Sequence, residues 1–230
     1  MIDARGISLV VSDGFDSVRF GFSSQTQSKD TMYSTDRISA AFALAALVHE
    51  KQTRKSTNIP YISHPMAVAA QVAVWGGSED QFIAALLHDV VEDGGAQYMP
   101  VIDEHFGKHV LDLVMACSDA APQRGQPKGA WIERKEKYIA NLRSAADEVL
   151  LISAADKWHN LASILADVKQ LGEVVFDRFI RQDFERTDKK KMVLWYYKEL
   201  LAVYRERNVP VVVELENLLS EIENVTGQNR

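Results

Sequence analysis

Four short stretches carry the side chains best suited to chemistry: Pro60-Tyr61-Ile62-Ser63-His64-Pro65, His88-Asp89, Glu92-Asp93 and Asp156-Lys157-Trp158-His159-Asn160. His64, His88, Asp89 and Asp156 together offer two imidazoles and two carboxylates from separate parts of the chain. Such a mixed donor set suits one divalent transition ion, whereas all-oxygen sets suit Mg²⁺ or Ca²⁺. Four protein ligands would leave positions for water and a substrate oxygen. A metal lowers the pKa of its water and polarises a carbonyl or phosphoryl oxygen, so the chemistry on offer is metal-assisted hydrolysis.

Each signal has an ordinary alternative. His88-Asp89 alone is weak, because neighbouring helical residues diverge by about 100° and reach one ion only if it lies between them. Asp156 ends the run Leu151-Ile152-Ser153-Ala154-Ala155, where a carboxylate is costly to bury unless paired or coordinated. Pairing with Lys157 or a nearby Arg would serve as well as a metal. Glu92 and Asp93 follow His88 and Asp89 by four residues, which places each pair on one helical face. There they could take a proton from water or deliver one to the leaving oxygen. The alternative is an acidic helix end before Gly94-Gly95, although acids there oppose the helix macrodipole. Arg54 and Lys55 precede His64 in an expected loop and could hold a polyanion; the alternative is a solvated surface. His159 could line the pocket or simply pack in the core.

The elements that must position these groups read as helices. Ser34 or Thr35 caps a helix through Ala40, Leu44 and Val48, and His64-Pro65 marks another helix start. Ser78 and Gln81 form a capping box for the helix that carries His88 and ends at Gly94-Gly95. Helices are expected over 98–106, 108–118, 131–143, 147–169, 173–182, 188–207 and 211–225, with a loop at 119–130 rich in Pro and Gly. Residues 1–33 read as an irregular or poorly ordered extension, and 34–230 as the functional domain. Within the extension Leu9–Val11 and Val18–Phe22 are extended in character, with no turn signal that makes a convincing hairpin. The class is all-α.

Composition narrows the function further. A formal net charge of −6 gives no footprint for long nucleic acid. No apolar run approaches the ~20 residues that span a bilayer, so no membrane partner is expected. One cysteine, Cys117, fits a reducing cytoplasm and reads as a core residue rather than a nucleophile.

Arg54-Lys55-Ser56 leading to Pro60-Tyr61-Ile62-Ser63-His64-Pro65, then Leu86-Leu87-His88-Asp89-Val90-Val91-Glu92-Asp93, His105-Phe106-Gly107 and Ala155-Asp156-Lys157-Trp158-His159-Asn160-Leu161, resembles the alarmone hydrolases of the RelA/SpoT type. Trp131-Ile132-Glu133-Arg134-Lys135 and Trp195-Tyr196-Tyr197 look most like their small stand-alone branch. The resemblance implies a compact multi-helix HD-domain fold that binds one Mn²⁺, with other divalent transition metals as alternatives. It implies removal of the 3′-pyrophosphate of guanosine tetra- or pentaphosphate, (p)ppGpp, to leave GDP or GTP. His64, His88, Asp89 and Asp156 take the ligand roles, and Glu92 and Asp93 the catalytic ones. Arg54, Lys55 and Asn160 take contacts to the nucleotide, and Lys191 with Trp195 has the spacing of a basic–aromatic pair that closes the site. Ala162 stands where the family often has Arg. Another nucleotide substrate (an adenine alarmone, NADPH or a nucleoside monophosphate) and a binding module without turnover stay open as alternatives.

Overall fold

The computed structural model describes residues 8–10, 19–21, 33–118, 130–180 and 184–227. Nine α-helices are assigned among them, so the all-α expectation holds for the domain. They are α1 (Thr35–Val48), α2 (Ser63–Val74), α3 (Glu79–Leu87), α4 (Tyr98–Phe106), α5 (Lys108–Cys117), α6 (Trp131–Ser144), α7 (Asp147–Leu171), α8 (Arg186–Glu206) and α9 (Val212–Gly227). Two short strands, β1 (Ser8–Val10) and β2 (Arg19–Gly21), pair antiparallel with Leu9 opposite Phe20. A paired arrangement thus forms where only extended pieces are expected; Val10 and Phe20 favour extended backbone, and Asp13-Gly14 in the intervening sequence is a turn-forming dipeptide. The loop expected at 119–130 lies outside the described residues, apart from Ala130 at the start of α6.

The helix starts obey local chemistry. Ser78 Oγ accepts from the Gln81 amide at 3.2 Å while Gln81 Oε1 accepts from the Ser78 amide at 2.8 Å, so the expected capping box forms. Pro65 sits in the first turn of α2, where its missing N–H costs nothing. Arg37 of α1 pairs with both Glu79 and Asp80, and Tyr33 donates to the Gly77 carbonyl at 2.6 Å, which ties the start of α1 to that of α3.

The long α7 runs through the middle of the domain and packs against α2, α3, α5, α8 and α9. Leu150, Ile152, Ala154, Ala155 and Leu161 are buried along it, and Leu44, Ile83, Leu86 and Leu87 complete the core from α1 and α3. Burying a side chain of that size contributes roughly 1.5–3 kcal/mol. Two segments depart from the expected helices. After His88-Asp89 the chain widens into a π-helical turn over Val90–Gly94, and after α7 a 3₁₀ segment covers Gly172–Arg178 where a helix over 173–182 is expected. The π turn ends at Gly95, whose φ of 109° suits glycine, and a Cβ on Gly94 would lie 2.8 Å from Val48 Cγ1. Among the described residues no helix is long and apolar enough to cross a membrane.

Candidate metal centre and active-site cleft

His64 from the first turn of α2, His88 and Asp89 from the end of α3, and Asp156 from the middle of α7 meet at one point. His64 Nε2 lies 3.1 Å from Asp156 Oδ1 and 3.8 Å from Asp89 Oδ2. His88 Nε2 lies 3.0 Å from Asp89 Oδ2 and 4.0 Å from Asp156 Oδ1. Ligand atoms of His64, His88 and Asp89 fall within 4.8 Å of one another, a cluster able to hold a metal ion.

The tautomers support this use. His88 Nδ1 is 2.8 Å from the Ala85 carbonyl, to which it donates, and this turns Nε2 toward the cluster. That buried Nε2 has no partner in hydrogen-bond geometry despite the nearby carboxylate, the arrangement expected of two groups aimed at a common third. His64 Nδ1 meets His159 Nδ1 at 2.8 Å. Burial, with His64 and Arg54 alongside, holds His159 down at about 4, so neutral His159 can accept from His64.

The electrostatics are those of a cluster that seeks a cation. Burial opposes the charge on Asp89 and Asp156, yet His88 outweighs it at Asp89 and Lys157 at Asp156, and both carboxyls stay below their usual range. Burial likewise lowers His64. At His88 the same burial is overcome by Asp89 and Asp156, which push the imidazole up to about 9. A divalent ion held by these groups would displace that proton.

Asp156 has surroundings that suit either reading. Its Oδ2 takes an ion pair from Lys157, while Oδ1 faces the imidazoles and accepts from Asn160 Nδ2 at 2.6 Å. Lys157 is buried, with its ammonium 4.7 Å from the Tyr138 ring centroid. Asn160 in turn accepts from Arg54 Nη2 at 3.0 Å. Arg54 sits on a loop closed by the Thr53–Pro60 bridge and lies 5.9 Å from the Tyr61 ring centroid. The Tyr61 hydroxyl donates to Asp89 Oδ2 at 2.6 Å.

The cluster forms one part of a cleft of about 390 Å³, within the range of small-molecule sites. Arg54, Lys55, Asn160 and Glu92 line it together with the four clustered residues. Asp93 does not. It is exposed and accepts from Gln52 Nε2 at 2.8 Å, while Gln52 also meets His49. The π turn thus separates two neighbours that helical spacing would treat alike. Lys191 and Trp195 also fall outside the lining; Lys191 is exposed and 3.6 Å from Asp188. From α8 the cleft instead receives Val193, Tyr196 and Tyr197.

Four residues matter more than sequence reasoning suggests: Tyr61, Lys157, His159 and Arg178. Tyr61 stands inside the Pro-Tyr-Ile stretch with no role legible in the sequence, whereas Lys157 is legible as a partner for Asp156 and His159 as a residue of the pocket. Arg178 carries no sequence signal. Cys117 reaches the cleft wall, but burial pushes its thiol up to about 12, which fits no nucleophile.

The model of the HD domain matches residues 41–179. The chain belongs to the HD-domain family. This HD domain is 36% identical over 134 residues, 56% of the chain, to the bifunctional (p)ppGpp synthase/hydrolase SpoT of Escherichia coli K12. It is 35% identical over 123 residues, 52% of the chain, to guanosine-3′,5′-bis(diphosphate) 3′-pyrophosphohydrolase MESH1 of Xenopus tropicalis. The matches span 18% of the SpoT chain and 65% of the MESH1 chain. A solved structure of a metazoan ortholog of SpoT, described as hydrolysing ppGpp, superposes with a TM-score of 0.63 at 25% identity, covering 86% of this chain and 99% of that one.

Proposed function

We propose that this HD domain is a guanosine-3′,5′-bis(diphosphate) 3′-diphosphatase: it removes the 3′-pyrophosphate of (p)ppGpp and leaves GDP or GTP. The observation that carries the reading is the meeting of two imidazoles and two carboxylates at a cleft that cationic side chains also line. The similarity to SpoT and to MESH1, whose names state this activity, supplies the substrate. His64, His88, Asp89 and Asp156 would hold one Mn²⁺, a choice their mixed nitrogen and oxygen donors support. When bound, the ion would supply Lewis-acid activation of water and of the phosphoryl group.

The chain's own residues do the rest. Glu92 lines the cleft and takes the proton of the attacking water. Asp93 acts at a distance, holding Gln52 and through it the base of the Arg54 loop. Tyr61 fixes Asp89, His159 fixes His64, and Lys157 fixes Asp156, so each ligand has a partner that sets its direction. Arg54, Lys55 and Asn160 hold the nucleotide against the acidic cluster. Lys191 and Trp195, outside the cleft lining, are assigned no contact here. Residues 34–230 are taken as this one domain, acting in the cytoplasm, where a single cysteine stays reduced.

The test is a panel of nucleotides incubated with Mn²⁺, with products separated by chromatography. Guanosine tetraphosphate should yield GDP and pyrophosphate, and chelation should stop it. Turnover of NADPH, of adenine alarmones or of monophosphates in its place, or binding without any product, would replace this reading.

A further inference from the structure

We propose that Asp167 and Arg178 read the base of the bound nucleotide and favour guanine; this rests on the nucleotide-hydrolase reading above. Both side chains line the same cleft as the ligand cluster, together with Phe179. Asp167 lies on α7 eleven residues beyond Asp156, about 16 Å along the helix at ~1.5 Å per residue. That spacing suits a nucleotide with one phosphate arm at the metal and its base at the far end.

The pair is built rather than incidental. The Arg178 side chain is only 11% exposed and the Asp167 side chain 29%. Arg178 Nη2 donates to Asp167 Oδ2 at 2.5 Å, and the guanidinium carbon lies 5.1 Å from the Phe179 ring centroid. An arginine can set two parallel bonds on one carboxylate. Here one bond joins them, and among the described residues no second hydrogen bond reaches either side chain. Asp167 Oδ1 and the remaining N–H groups of Arg178 are therefore left with capacity at the cleft wall.

An adjacent acceptor and donor discriminate between ligands. A diphosphate would suit Arg178 but would meet the oxygens of the Asp167 carboxylate, which accept and do not donate. A neutral heterocycle suits both. Guanine presents N1–H and N2–H side by side, which one carboxylate can accept together, with O6 and N7 for Arg178. Adenine presents a single amino group and no N1–H, so it offers Asp167 one donor fewer.

Calorimetry with GDP, IDP, ADP and XDP tests this apart from catalysis, since these lack the 3′ group to be cleaved. The wild-type chain should bind GDP at least about tenfold tighter than IDP, which lacks only the N2 amino group, the effect of one hydrogen bond to a charged acceptor. Asp167→Asn should lose that preference and gain about tenfold for XDP, because its amide can donate to the xanthine O2. Arg178→Gln, with an unchanged circular dichroism spectrum, should weaken GDP and IDP together. A purely structural pair would not produce the turn toward xanthine. Equal affinity for GDP and IDP in the wild type, an unaltered ratio in Asp167→Asn, or no binding of any of the four would overturn the proposal. Guanine preference without hydrolysis of guanosine tetraphosphate would instead defeat the hydrolase reading and leave this one standing.

Discussion

The two ends of the cleft are built on different terms. At the ligand end, His64, His88, Asp89 and Asp156 are each buried or nearly so, and each is braced by a second side chain or a backbone carbonyl. Around the other walls of the cleft, Lys55 is exposed, Arg54 leans on Asn160 from a loop, and Arg178 has one bond to Asp167. Rigid placement serves an ion, whose ligands must hold fixed directions. Looser cationic and aromatic walls serve a substrate that must enter and leave. Mutations at the first end should therefore destroy metal binding and turnover together, and mutations at the second should mainly shift affinity.

The largest effect is expected at His88. His88→Ala removes one of the four proposed ligands, which nothing nearby replaces, so metal affinity should fall by at least ~100-fold and activity with it; metal analysis of the purified variant checks this. Full occupancy with normal turnover would place His88 outside the centre. Next comes Glu92→Gln, which should keep the metal but lower turnover by ~10²-fold. Asp93→Asn, one residue on but outside the cleft lining, should cost only a few-fold. Equal losses in both variants, read from steady-state kinetics, would erase the distinction drawn by the π turn.

Tyr61→Phe deletes the hydroxyl that holds Asp89, and should weaken metal affinity by about tenfold with substrate affinity little changed. Titration of metal into the variant reads this directly. The smallest of the effects tests the other end of the cleft. Replacing Arg54 and Lys55 together by Ala should raise KM more than it lowers kcat, because contacts to the bound substrate are lost while the metal chemistry is kept. The difference from wild type should shrink at high salt, where screening already weakens the attraction. An unchanged KM would return both residues to the solvated surface.

The same contrast governs what could be read from the sequence. His64 is legible because His-Pro marks the opening of α2, and Asp156 because a carboxylate amid Ile152, Ala154 and Ala155 needs a partner. The helices α1 to α9 follow from apolar spacing; of the expected caps the Ser78–Gln81 box forms, while Ser34 at the start of α1 makes no side-chain cap bond. Asp93 is harder, since four-residue spacing assumes a regular helix and Val90–Gly94 is a wider turn. Lys191 and Trp195 failed to reach the cleft for a related reason. Lys191 and Trp195 form the one basic–aromatic pair of that spacing along α8, but spacing does not say which face of the helix turns to the cleft; the packing of α8 on α6 and on the 3₁₀ segment turns Tyr196 and Tyr197 inward instead. Arg178 lies in that 3₁₀ segment, with no motif around it; only its pairing with Asp167 across a chain reversal gives it meaning.

Asp156 is the residue on which the metal centre stands most openly, because it is both neighbour to the imidazoles and partner to Lys157. Calorimetric titration of Mn²⁺ into the metal-stripped chain should find one ion per chain in the wild type. In Asp156→Asn, which keeps the shape and the neighbouring Lys157, that binding should weaken by at least ~100-fold. Unchanged stoichiometry and affinity in Asp156→Asn would mean that Asp156 serves only its lysine, and would contradict the four-ligand centre proposed here.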